Sequence, residues 1–331
     1  MVEEEPSSLI SIAKSQRIPA KEFEKQYKNH LSNFHQWNQK DHCEEWLLFE
    51  KNIGENLSID ETAISGDDLH TIITNKAAKG RRGAIVAMVG GVKALNITTV
   101  LARISKEARD KVKEVTLDMS NAMDLIVRTS FINAIIVTDR FHVQQLISEA
   151  VQEIRIALRR EVLKEENEEF KQAKLENKTY QPTLLENGDT KKQLLARSRG
   201  LLFKPTNKWS KSQQARSIIL FKYFPELKKA YDLSMMFRNI YETNFNTTKA
   251  KEALDKWYQK VVEENIEAFN IPAESIRWHE TTILNYFTNR STNASAESFN
   301  AKLKGFRTVV RGVRDKEFFL FRIAKLYGES S

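Results

Sequence analysis

Two groups of residues in this chain have types and spacings suited to chemistry. The first lies in Thr292 to Arg314, TNASAESFNAKLKGFRTVVRGVR. Helical periodicity there puts Phe299, Leu303, Phe306 and Val310 on one face and Glu297, Asn300, Lys304, Thr308 and Arg311 on the opposite one. The apolar face must be buried. The polar face sets a single carboxylate beside a ladder of cations able to follow a phosphate backbone. Asn293 is the expected N-cap. Read alone, Glu297 is equally at home as an ordinary acid near the positive end of an exposed helix. The second group is three aspartates, Asp60 in LSIDETAIS, Asp118 in VKEVTLDMS and Asp139 in AIIVTDRFHV. Acidic residues commonly end strands as turn formers, so each of the three also has a purely structural reading. What decides is whether the fold brings them together.

The elements that must position them are legible. Residues 1 to about 50 read as helices broken near Pro19, and EEWLLFEKNI leads to the first strand. From Asn56 the runs LSIDETAIS, LHTIITNK and GAIVAMVGG are short, β-rich and separated by turn residues, which predicts an antiparallel meander. TTVLARISKEARDKV then reads as helix, VKEVTLDMS as a buried strand stopping at Asp118, NAMDLIVRTSF as helix, and AIIVTDRFHV as a second buried strand stopping at Asp139. The order β-β-β-α-β-α-β followed by a helix is that of an α/β, ribonuclease H-like fold, a mixed sheet flanked by helices. In such a sheet Asp60 lies on the first strand and Asp118 ends the fourth, its neighbour, so the two carboxylates can meet, with Asp139 one strand further out.

Strand signals vanish from Val143 to about Tyr286. Long charged helices replace them, with TYQPTLLENGDTKK as the most loop-like break, and SQQARSIILFKYFPELKKAYDLSMMFRNIYETNF reads as one helical stretch. The aromatics Phe221, Tyr223, Phe224, Tyr231 and Phe237 suit helix packing better than base stacking. The expected division is therefore a helical segment at 1–55, the first part of the core at 56–145, a large all-helical insertion at 146–286, and the remaining core with the Glu297 helix at 287–331.

Composition narrows the classes. The 331 residues suffice for one large domain or two ordinary ones, and the net charge of +8 suits a polyanionic partner. No run of about 18 apolar residues is present to span a bilayer, and MVEEEPSSL is acidic where a targeting signal would be basic, so a cytoplasmic location away from membranes is expected. The single cysteine, Cys43, rules out an internal disulfide and a cysteine-cluster zinc site, and HQWNQKDHC lacks a second metal-ligand pair.

The segments IDE at 59–61, NKAAKG at 75–80, VTLDM at 115–119, VTDRFHVQQL at 137–146, NASAESFNAKLK at 293–304 and RGVRDKEFFLFRIAKLY at 311–327 together resemble bacterial insertion-sequence transposases of the ISL type. Within them the likeness is to a subgroup of Bacteroidetes-like bacteria, and it extends over about residues 35 to 328. Such enzymes have a DDE core of ribonuclease H-like fold interrupted by a helical insertion before the Glu. The resemblance implies a triad of Asp60, Asp118 and Glu297, and matches Asp139 and His142 to an Asp-x-x-His motif beside it. Phosphodiester hydrolysis and strand transfer are in-line displacements at phosphorus that use two hard divalent ions, here magnesium with manganese as a substitute, held by carboxylate oxygens. Asp60 is then the ligand shared by both ions, with Asp118 on one and Glu297 on the other. His142 is expected to donate to a phosphate oxygen or to orient Asp118 or Asp139, and a core histidine bonded to backbone is its other reading. Lys302, Lys304, Arg307, Arg311 and Arg314 become phosphate contacts.

The implied partners are DNA, as transposon ends and target, and a second copy of the chain on that DNA. Full-length relatives carry an N-terminal zinc ribbon and helix-turn-helix that are not seen here. In the subgroup a separate upstream reading frame is expected to supply them. Two other functions fit the same pattern: a ribonuclease H-like nuclease or junction resolvase that cuts without joining, and a non-catalytic DNA-binding remnant.

Overall fold

The computed structural model describes residues 2–310 and 312–328. Six strands form one sheet: β1 (Trp46–Leu48), β2 (Asn56–Ser65), β3 (Asp68–Asn75), β4 (Ile85–Gly90), β5 (Glu114–Leu117) and β6 (Ile135–Thr138), in the order β1-β4-β3-β2-β5-β6. The meander β2-β3-β4 is antiparallel, while β5 joins β2 and β6 joins β5 in parallel. This is the mixed sheet expected from the order of elements. Gly66, at φ +49°, makes the tight turn from β2 to β3 in a left-handed conformation that costs glycine little. β5 is buried along its whole length, as befits a parallel strand covered on both faces.

Alternation along the strands divides the core in two. Leu57, Ile59, Val115, Leu117 and Ile136 pack with Ile97, Leu101, Met123, Ile126 and Val127 of the helices Ala94–Leu101 and Asn121–Ser130. Ile64, Ile72, Ile85 and Met88 face the other way, against Phe299, Leu303 and Phe306 of the helix Ala294–Val309 and Leu320, Phe321 and Ile323 of Lys316–Ile323. Phe34 and Trp37 from the N-terminal region join that second core. Truncating a ring as buried as Phe299 is expected to cost about 3–5 kcal/mol.

Three expectations are corrected. β1, a three-residue strand pairing Trp46↔Val89 and Leu48↔Ala87, extends the sheet by one edge that periodicity is too short to reveal. TTVLARISKEARDKV is not one helix, because Ala94–Leu101 ends before a second short helix at Lys106–Arg109. The Glu297 helix covers Ala294–Val309 rather than running to Arg314, and is closed by the Gly312 amide donating to the Arg307 carbonyl over 2.9 Å, with Gly312 at φ +92°.

The chain divides into two compact units, Met1–Asp139 with Asn289–Ser331, and Arg140–Thr288. Among its described residues the second unit has helices and no strand, the longest being Arg140–Leu175 at 36 residues. The stretch read as one helix from Ser212 is two, Lys211–Tyr223 and Pro225–Thr243, because Pro225 can start a helix but not continue one. Phe224, Tyr231 and Phe237 are buried among the helices, as their packing role predicts, whereas Tyr223 is partly exposed. Among the described residues no helix is long and apolar enough to cross a membrane.

Candidate active site

Register alone aligns the three aspartates. Ser58 pairs with Thr116 across β2 and β5, so two residues further along each strand stand Asp60 and Asp118. Leu117 pairs with Thr138 across β5 and β6, so one residue further stand Asp118 and Asp139, and the Asp139 amide continues the ladder to the Leu117 carbonyl over 2.8 Å. Opposed residues on paired strands share a face, which makes Asp60, Asp118 and Asp139 a row across three neighbouring strands. The alternation that sends Leu57, Ile59, Val115 and Leu117 into one core turns this row to the opposite face, where the helix Ala294–Val309 lies. A carboxylate oxygen of Asp118 lies within 4.8 Å of one of Asp139. Asp139 is buried, and Asp60 and Asp118 are half-buried.

The helix touches this row at two points. The Asn300 side-chain amide donates to Asp60 Oδ2 over 2.6 Å, and the Asn293 backbone N–H donates to Asp139 Oδ1 over 3.1 Å. Positions 293, 297 and 300 fall within about 60° of one another on a helix with 3.6 residues per turn. Glu297 comes between the two contacts in sequence, about 60° round the helix from Asn300, and is open to solvent. The three aspartates and the helix that carries Glu297 lie on one side of the sheet, all inside the first compact unit. Asn293 occupies the N-cap position as expected, but its side chain makes no cap bond. Asn300, placed on the solvent face by periodicity, is buried instead, because its partner is an acid far away in sequence.

Beneath the row is a polar network that sequence reasoning did not find. Lys76 donates to Glu114 Oε1 at 3.0 Å, to Ser291 Oγ at 2.5 Å and to Thr116 Oγ1, while Asn289 donates to the other Glu114 oxygen. Glu114 and Thr116 share the parity of Asp118 on β5, so the network ties residues 289–291, which lead into the Glu297 helix, to the strand that carries Asp118. Burial pulls the Lys76 ammonium below its ordinary value, against the opposing charges of Glu114 and Asp139. A further acid, Glu61, is pushed up by burial and by the neighbouring Asp118 charge. The sequence signals were present, in the IDE triplet for Glu61 and in NKAAKG for Lys76, but only the folded chain gives them partners.

The other predicted residues are one histidine and five cations. His142 is half-buried in the first turn of Arg140–Leu175, its ring edge-on to Phe141, and belongs to the second compact unit. Lys302 donates to the Gly80 carbonyl at 2.7 Å and Arg307 to the Ala63 carbonyl at 3.3 Å, so both cations brace the helix against the sheet region. A side chain on Gly80 would meet the Lys302 ammonium at 3.2 Å, and Gly80 is also at φ +65°. Lys304 and Arg314 are exposed, and Arg311 lies outside the described residues.

The donor set suits a hard divalent cation. Besides the carboxylates, the Oδ1 atoms of Asn293 and Asn300 are buried beside the row with no hydrogen-bond partner among the described residues. Oxygen ligands of this kind fit magnesium or manganese and do not fit a thiolate-seeking metal. A family model described as a transposase, of the DDE class and ISL3 type, matches residues 57–323. No curated protein matches the chain.

Proposed function

Since the chain belongs to the ISL3 family of DDE transposases, we propose that it cuts DNA at the ends of an insertion sequence and joins the freed 3′ hydroxyl to a target, with Asp60, Asp118 and Glu297 as ligands to divalent magnesium. The observation that carries this reading is the row of aspartates on three neighbouring strands spanned by one helix, with Glu297 between the Asn293 and Asn300 contacts in sequence. Bound there, two such ions supply activation of the attacking oxygen and stabilisation of the leaving one. Manganese, with the same taste for carboxylate oxygen, substitutes.

The chain's own residues hold the geometry. Asn300 fixes one Asp60 oxygen and the Glu61 amide, at 2.8 Å, fixes the other, leaving the carboxylate little freedom to turn. Asp139 accepts from the start of the Glu297 helix and so sets where that helix begins. His142 is proposed to donate to a phosphate oxygen. Lys304 and Arg314, both exposed, serve as phosphate contacts, and Lys302 and Arg307 retain donors beyond those given to carbonyls. We extend the phosphate role to Arg311.

The same reading includes two copies assembled on DNA at the bacterial nucleoid, with base recognition of the ends supplied by a separate protein from an upstream frame, as in the Bacteroidetes-like subgroup. Supporting this, Phe34 and Trp37 of the N-terminal region are committed to the core rather than presented to DNA.

The test is a strand-transfer assay with precut ends in magnesium, manganese, calcium or chelator. Joined products in magnesium and manganese, absent with calcium or chelator, support the reading. Hydrolysis without joining identifies a nuclease or resolvase, and neither activity identifies a DNA-binding remnant.

A further inference from the structure

The helical unit Arg140–Thr288 contains a groove, of about 840 Å3, that the acid row does not use. Its walls carry Arg155, Arg199 and Arg238, the rings of Phe141 and Phe203, and Gln152. Arg155 is buried, donating from Nε to Gln152 Oε1 at 2.7 Å and from Nη1 to the Leu195 carbonyl at 3.2 Å. Among the described residues neither Arg155 nor Arg199 has an ion pair, and Arg238 has only a long one, 3.7 Å to Glu242. Burial and the charges of Arg199 and Arg159 pull the Arg155 guanidinium below its ordinary value. A buried cation with no counter-charge is costly, and an anion in the groove would relieve it. The Gln152 amide nitrogen is also buried without a partner among the described residues. The acid on this wall, Glu149, is already held by Gln145 at 2.7 Å. Phe141 and Phe203 are 58% and 37% exposed, which leaves flat apolar faces beside the cations.

We propose that this groove is a second DNA site that takes an unpaired nucleotide stretch, with phosphates on Arg155 and Arg199 and a base stacked on Phe203. The pairing of arginines with exposed rings favours this ligand, because every base has a face to stack while phosphate supplies the counter-charge. An acidic protein segment would satisfy the arginines and gain nothing from the rings. The proposal rests on the transposase reading, in which DNA is the substrate.

Its test is fluorescence anisotropy of the full chain with labelled oligothymidylate, in chelator so that no strand is cut. Phe203→Ala is expected to weaken binding by about tenfold without altering its salt dependence, and to leave duplex affinity unchanged. Arg199→Ala is expected to weaken binding and to lower the slope of log affinity against log salt by about one. Both side chains are exposed, so neither change opens the core. Parent-like binding of oligothymidylate by both variants overturns the proposal. So does displacement by polyglutamate together with indifference to Phe203→Ala, which would make the groove a site for an acidic protein segment. Because nothing is cut in this assay, its outcome is independent of whether the strand-transfer test succeeds.

Discussion

Asn300 donates its side-chain amide to Asp60 over 2.6 Å, seven residues after Asn293 gives its backbone N–H to Asp139. One helix thus grips both outer members of the aspartate row, and Glu297 comes between the two grips in sequence. The bond to Asp60 is charge-assisted, a class of hydrogen bond worth about 1.5–3 kcal/mol. Asn300→Ala is therefore expected to slow strand cleavage by on the order of tenfold to a hundredfold at saturating metal, since 1.36 kcal/mol corresponds to tenfold. Single-turnover rates check this, and an unchanged rate would mean that Asp60 needs no orienting partner.

Asp118 stands between Asp60 and Asp139 in the row, so it is the one member with an aspartate neighbour on each side. Asp118→Ala is expected to cost on the order of a thousandfold in rate. Asp139→Ala should cost less, and Asp139→Asn less again, because the amide oxygen can still accept from the Asn293 N–H. The comparison is made by single-turnover kinetics at matched stability. Equal or reversed severity would move the second ligand to the outer strand.

Glu114 gives the fold an acid-sensitive anchor. Burial alone would raise its carboxyl, but hydrogen bonds from Asn289 and Ser291 and the Lys76 charge hold it below the ordinary 4.5. A carboxyl lowered in the folded state adds stability above its unfolded value, and that stability is lost as pH falls through the folded one. The difference in melting temperature between the parent and Glu114→Gln should therefore shrink as pH drops below about 4.5. A difference constant across that range would remove Glu114 from the acid response. Lys76→Met, which strands a buried carboxylate, is expected to destabilise by about 3–5 kcal/mol at neutral pH.

The sheet was legible in the sequence because its signals are local. Alternation in LSIDETAIS sets which residues face inward, and an apolar run ending in Asp118 or Asp139 marks a parallel strand with an acid at its tip. Adjacency of Asp60 and Asp118 follows from topology. What periodicity could not supply were contacts between distant segments. The helical wheel assigns Asn300 to solvent because it knows only helix faces, and the partner that buries it is 240 residues earlier. Lys302 and Arg307 read as free cations for the same reason, although main-chain carbonyls occupy one donor of each. Lys76 stands in NKAAKG, a segment that carries the likeness, but its role depends on Glu114 and Thr116 of β5 and on Ser291, which arrive from two other places.

Glu297 is the acid whose role depends most on the fold, since it comes from a separate part of the chain and enters the row only through its helix. Its side chain is exposed, so Glu297→Gln should leave thermal unfolding and DNA affinity nearly unchanged. The most direct measurement is the single-turnover rate of DNA cleavage and joining by this variant beside the parent, in magnesium and in manganese. A fall of about a thousandfold or more, roughly 4 kcal/mol of transition-state stabilisation, is the predicted result. Cleavage and joining at the parent rate would contradict the assignment of Glu297 to the metal site and with it the account of this helix as the closing wall of the active site.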